Sequence, residues 1–140
     1  MFSKWKQQRA RIKAVDDRLK QTGILWGSNL KTELSFLTDC LFDNEIIYYG
    51  LIGSIQNFKN QSKGITVLTN YRILALKSKG LNCEQLSIPL GKITNVQIKR
   101  SFSSELYISN ANADLVITRC NYAAVEAMNQ KIQEVLLNVS

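Results

Sequence analysis

The side chains with the most chemical reach in this chain are cations, and they crowd one end. Residues 1–20 hold Lys4, Lys6, Arg9, Arg11, Lys13, Arg18 and Lys20 against only Asp16 and Asp17. Phe2 and Trp5 are interleaved with them. Such a mixture suits three uses. Phosphate contact plus base stacking would address a nucleic acid, and interfacial aromatic anchors would address an anionic membrane. The third is a helix that docks its apolar stripe on the domain and leaves its charges in water. Trp5, Lys6, Arg9, Arg11 and Lys13 are therefore the partner-binding candidates of this arm.

Groups that could break or make bonds are poorly organised by comparison. The chain has no histidine, so the commonest general base and metal ligand is missing, along with every Ser-His or Cys-His nucleophile pair. Carboxylates at Asp39, Asp43, Glu45, Glu84, Glu105 and Asp114 are scattered, and none shares a motif with a nucleophile or a second acid. Gly50 and Gly53 lack the following Gly-Lys-Ser/Thr of a phosphate loop. Cys40, Cys83 and Cys120 lie far apart with no CxxC pair, which argues against a disulfide framework or a zinc site and fits a reducing compartment. The expectation is a protein without catalytic, metal or cofactor-binding residues.

At 140 residues the chain can bury one real core, and 45% apolar with 21% charged residues is ordinary for a globular domain. The formal charge of +7 belongs mostly to the arm. Beyond residue 20, eleven of the 18 basic groups face nine of the 11 acidic ones. No run is long enough to span a bilayer and no basic-then-apolar leader opens the chain, so a cytoplasmic location is expected.

The elements that must position these groups follow from periodicity. Residues 1–21 read as a basic helix with Phe2, Trp5, Ile12, Val15 and Leu19 largely on one face. Gly23 to Gly27 is a short apolar connector containing Trp26. Ser28 is placed to cap a second helix over 28–42, striped by Leu30, Leu34, Leu37 and Leu41. From Glu45 the period changes to two. The centre of the pattern is Lys63 to Lys77, where two β-branched runs, apolar on both faces, meet at Thr69-Asn70.

Further strands are expected at 45–52, reaching towards Ile55, and at 85–90, with Pro89 at a strand end or edge. Others follow at 92–99, 105–109 and 114–119, separated by turns that include one around Gly80. A parity switch between Ile93 and Val96 indicates a bulge or a late strand start. Asn121 caps a last helix with Tyr122, Val125, Met128, Ile132, Val135 and Val139 along one side. About seven short antiparallel strands closed by a striped helix argue for a bent sheet or barrel of α+β class.

Three stretches carry a family likeness. Gly64 to Leu74 reads Gly-apolar-Thr-apolar-apolar-Thr-Asn-x-Arg-Ile-Leu. Leu86 to Ile98 contains Ile88-Pro89-Leu90 and then Lys92-Ile93-x-x-Val96. Leu115 to Leu136 supplies the closing strand and helix. In these the chain resembles the bacterial pleckstrin-homology-like (PH-like) domains, the YokE-like group in particular. The resemblance implies a binding module built on a bent seven-stranded sheet closed by its C-terminal helix. In eukaryotic relatives, basic residues between the first two strands grip inositol phosphates. Lys59 and Lys63 occupy that loop here, with Lys77 and Lys79 expected nearby, but Asn57, Asn60 and Gln61 dilute the set. Arg72 matches a family position, and its place in a strand pair reads first as an ion pair or carbonyl contact.

The resulting division is an N-terminal helical extension over 1–43 and a PH-like domain over 44–140. The functional expectation is a non-catalytic binding module that engages a protein in the bacterial cytoplasm, compatible with a phage or mobile-element product directed at the host. Its alternatives are nucleic-acid binding through the basic arm and peripheral attachment to an anionic membrane. The site set is Trp5, Lys6, Arg9, Arg11, Lys13, Lys59 and Lys63.

Overall fold

A computed structural model describes residues 2–24, 30–58, 63–79, 81–100, 103–112 and 114–139, with the side chains of Phe2, Ser3 and Val139 outside that description. Helix α1 spans Phe2–Gln21 and α2 spans Lys31–Cys40. Strands β1 (Ile47–Ile55), β2 (Lys63–Thr69), β3 (Arg72–Lys79) and β4 (Asn82–Pro89) follow as a meander. After a 3-10 turn at Leu90–Lys92, strands β5 (Ile93–Arg100), β6 (Ser104–Asn110) and β7 (Leu115–Cys120) form a second one, and α3 (Tyr122–Val139) closes the chain. All pairings are antiparallel, in the order β4-β3-β2-β1-β7-β6-β5. This is the PH-like architecture expected from the sequence.

The two meanders meet at a narrow seam. Strand β1 pairs with β2 along its length, but meets β7 only near its end, through Ser54↔Thr118 and Ile55↔Ile117, with the Gln56 amide just beyond donating to the Val116 carbonyl at 2.9 Å. Gly53 stands at the start of that seam. A Cβ there would lie 2.7 Å from Cγ2 of Ile117 and 2.9 Å from the Thr118 carbonyl oxygen, so a side chain would push the meanders apart.

Both faces of β2 and β3 are buried, which explains why their sequence shows apolar residues at both parities. The inner face sends Ile73, Ala75 and Ile88 into the same core as Val125, Met128 and Ile132 of α3. Val135, Leu86 and Ile98 pack at the margin of the same core. On the outer face, Ile65, Val67, Leu74 and Leu76 meet Leu19, Ile24 and Leu37, from α1, the residues after it, and α2. The sheet is thus the middle layer of three.

Several boundaries differ from the sequence reading. Helix α2 starts at Lys31 rather than 28, and Leu30 precedes it with no side-chain cap bond. Ser28, Trp26 and Gly27 lie outside the described residues, as does Gly80. Strand β4 begins at Asn82, because β3 continues to Lys79 and Ser78↔Cys83 and Lys77↔Glu84 pair across a tighter turn. The parity switch near Ile93 is a register shift between Ile93 and Asn95. Asn121 caps α3, its Oδ1 accepting from the Ala124 amide at 3.3 Å. No described helix is long and apolar enough to cross a membrane.

Candidate functional site

Helix α1 is anchored through its C-terminal half. Leu19 is fully buried against Gly50, where a Cβ would sit 2.7 Å from Cδ2 of that leucine. Arg18 donates from Nε to the Ile47 carbonyl at 2.8 Å, and Lys20 pairs with Asp16 at 3.1 Å. Further towards the N-terminus, Arg11 donates to the Thr38 carbonyl at 3.3 Å and Gln8 to Asp39 at 2.7 Å, both on α2. Lys4, Lys6 and Lys13 are exposed. Trp5 was expected on the docking stripe, yet it is 61% exposed, with the Arg9 guanidinium 4.2 Å from its ring centre. One helical turn separates it from Arg9, and its side of the helix has left the body.

The structure does not bring the whole predicted set together. Lys63 opens β2 opposite Ser54, whereas Thr69 at the other end of that strand lies opposite Ile47, beside α1. At about 3.3 Å per residue the two ends of β2 are roughly 20 Å apart. Lys63 therefore stands at the opposite end of the sheet from Trp5, Lys6, Arg9, Arg11 and Lys13. Lys59 lies outside the described residues. Lys77 is buried, and Lys79 pairs with Glu84 at 3.6 Å.

The Thr69-Asn70-x-Arg72 segment is a structural clasp. Thr69 Oγ1 accepts from the amides of Tyr71 and Arg72, both at 3.1 Å, and so shapes the turn. Asn70 accepts from the Ile46 amide at 2.7 Å and donates its own amide to the Ile46 carbonyl at 3.1 Å. Arg72 forms a fork with Glu45, Nε to Oε2 and Nη2 to Oε1, each at 2.9 Å, and also donates to the Cys40 carbonyl at 2.8 Å. This is the ion pair and carbonyl contact expected for Arg72. Burial pulls the Glu45 carboxyl upward, but hydrogen bonds from Arg72, Thr69 and the Phe42 amide, with the Arg72 charge, hold it below the usual carboxylate range.

Sequence reasoning passed over the side chains that this clasp presents. Phe42 lies with its ring 4.3 Å from the Arg72 guanidinium and 6.0 Å, edge to face, from Tyr71. Phe42, Ile46 and Tyr71 nonetheless remain exposed. A signal was available: Phe42 falls one position off the Leu30-Leu34-Leu37-Leu41 stripe, and Tyr71 is an aromatic at the tip of a turn.

The three thiols are free. Burial raises Cys40; burial and then the Glu33 carboxylate push Cys83 up to about 11; burial and then Glu105 push Cys120 up to about 12. Glu33 is buried and accepts from the Ser78 amide at 2.7 Å. Among the described residues no three Cys, Asp or Glu side chains are grouped to hold a metal ion.

Comparison with known proteins agrees with this geometry. No curated protein sequence matches the chain. A PH-domain protein of the DUF1696 family from Shewanella loihica PV-4 is similar at 20% identity and a TM-score of 0.53, covering 79% of this chain and 99% of that one. The N-terminal PH domain of Vps36 is similar at 17% identity and a TM-score of 0.55, over 71% and 84% of the two chains. The hSac2 domain of the human phosphoinositide phosphatase Sac2 reaches 0.53 at 10% identity, over 76% and 79%. These likenesses show the fold. The sequence itself matches the family described as "Bacterial PH domain" over residues 41–134, from the end of α2 into α3. The chain belongs to the bacterial PH domain family.

Proposed function

We propose that the chain is a non-catalytic binding module that engages a protein partner in the bacterial cytoplasm through the end of the molecule carrying α1. One observation carries this reading. Helix α1 commits Leu19, Arg18, Arg11 and Gln8 to the body while Lys4, Trp5, Lys6, Arg9 and Lys13 stand in solvent. A helix bonded to the body along one side and cationic along the other is a charged surface of the domain. A compact, basic domain also fits a phage or mobile-element product whose partner is a host protein.

A pull-down from bacterial lysate, with and without nuclease, tests the reading. The wild type should retain a stoichiometric protein after nuclease treatment, and Lys6→Glu with Lys13→Glu should release it. Retention by the charge-reversed variant would remove α1 from recognition. Nucleic-acid binding is the second reading, favoured by Arg9 stacked on an exposed Trp5. It would appear as loss of the captured material on nuclease treatment, and as an affinity falling steeply with salt.

A further inference from the structure

Phe42, Ile46 and Tyr71 make an exposed apolar patch where β2 turns into β3, at the same end of the molecule as the N-terminal half of α1. They are 58%, 51% and 44% exposed. A single exposed apolar residue is commonplace, but these three are gathered and locked. Phe42 is held between Arg72 and Tyr71. The backbone of Ile46 is bonded twice to Asn70. Rigid aromatic side chains presented to solvent lose little entropy on contact, which is what anchors of protein interfaces need.

We propose that this patch, with the cleft beside it, is the docking surface for an acidic peptide segment of a partner protein that carries apolar side chains. The assignment rests on the protein-binding reading above and names the place and the chemistry. Phe42 and Leu41 share the cleft, of about 220 Å³, with Arg11 and Val15. Residues 1–15 bring five cations and no carboxylate to this end. Of the nearby acids, Glu45 is paired with Arg72, Asp39 keeps its charge while accepting from the Gln8 amide, and Asp43 lines the cleft, so five cations meet two carboxylates outside the Arg72 pair. Apolar anchors beside a cationic helix complement a segment mixing Asp or Glu with Leu, Phe or Trp.

Two other occupants fit less well. A bilayer accepts apolar groups without fixed geometry, and α1 has turned Leu19 to the body rather than outward. A second copy would bring its own cations against these, which disfavours self-association.

The test is selection of random 16-residue peptides displayed on a surface against the full chain, counter-selected with Phe42→Ala. Enriched peptides should combine acidic with large apolar residues. A synthetic copy should bind at least about tenfold more weakly to Phe42→Ala and to Ile46→Asp, and more weakly at higher salt. Lys63→Glu, at the far end of the sheet, should bind as the wild type does. Thermal melts establish that each variant is folded. Ile46→Asp keeps the test valid should Phe42→Ala lose stability, because Ile46 stands outside the Arg72 stack. Peptides that bind both variants equally would move docking elsewhere and leave the protein-binding reading standing. No enrichment over the counter-selection overturns the assignment. If phosphatidylglycerol vesicles or a 20-nucleotide oligonucleotide then bind the wild type instead, the protein-binding reading falls too. A dimer that Ile46→Asp dissociates would make the patch a self-contact and also overturn the assignment.

Discussion

Arg72 and Glu45 are joined by a two-bond fork that ties the connection between α2 and β1 to the start of β3, with the Glu45 side chain wholly removed from solvent. Removing the cation would strand a buried carboxylate. Arg72→Met is expected to cost on the order of 3–5 kcal/mol in urea unfolding. Pairing it with Glu45→Gln should recover part of that, since the stranded charge is then gone. A loss under about 1 kcal/mol for Arg72→Met would show that water reaches Glu45.

The same pair sets an acid limit. The folded pKa of Glu45 is lowered, so its contribution is complete above the unfolded carboxylate value of about 4.3 and is lost as pH falls through the folded value. The melting temperature of the wild type should exceed that of Glu45→Gln at pH 7. The gap should close on acidification below about pH 4. A gap independent of pH between 3 and 7 would exclude this linkage.

Both cores should be energetically real. Ile132→Ala in the inner core and Leu19→Ala in the outer one are each expected to cost about 2–4 kcal/mol, because both side chains are fully buried. A Leu19→Ala change below about 1 kcal/mol would mean that α1 contributes little to folding. The two losses should add in the double variant, since the sheet separates the sites.

The thiols should react in an order set by burial. Cys120, pushed up to about 12, is expected to resist an aromatic disulfide reagent in the native protein at pH 8, and Cys83 to react slowly. All three should label in denaturant without prior reduction. A raised thiol pKa resists ionisation in the fold, so this contribution is present below about pH 8.5 and is lost as pH rises towards the folded values. Fast native labelling of Cys120 would contradict its burial.

The fold was legible wherever the pattern had a direct physical cause. Alternation in Ile65, Val67, Ile73 and Ala75 placed the central strands, the Asn121 cap placed α3, and the parity break at Ile93 marked its bulge. Apolar residues at both parities of β2 and β3 announced burial on both sides without saying what covered the outer face. That cover is α1 and α2, whose leucines look alike whether they dock or project. The Trp5 error has the same root: spacing puts it on the stripe with Ile12 and Leu19, but α1 outruns the sheet before reaching it. Lys63 entered the site set through its place in the loop between the first two strands, and only strand register shows that it stands away from the arm. The Phe42 patch was hidden because its exposure is decided by Arg72, thirty residues downstream.

The narrow seam between β1 and β7 has a consequence for how the chain reaches its fold. Each meander is built from neighbours in sequence and can form early by local closure, but the seam joins Gln56 to Thr118, 62 residues apart. Its few pairings return little for the loop entropy they demand until α3 arrives to cover the inner core. Refolding should therefore be limited by docking of the second meander, so that Gly53→Val and a destabilising change at Leu74, in a meander already formed at that step, both slow folding. A chain arrested before that step would display the inner faces of Leu106, Ile108 and Leu115 to any neighbour, and the hazard in its biogenesis would be aggregation from the C-terminal half.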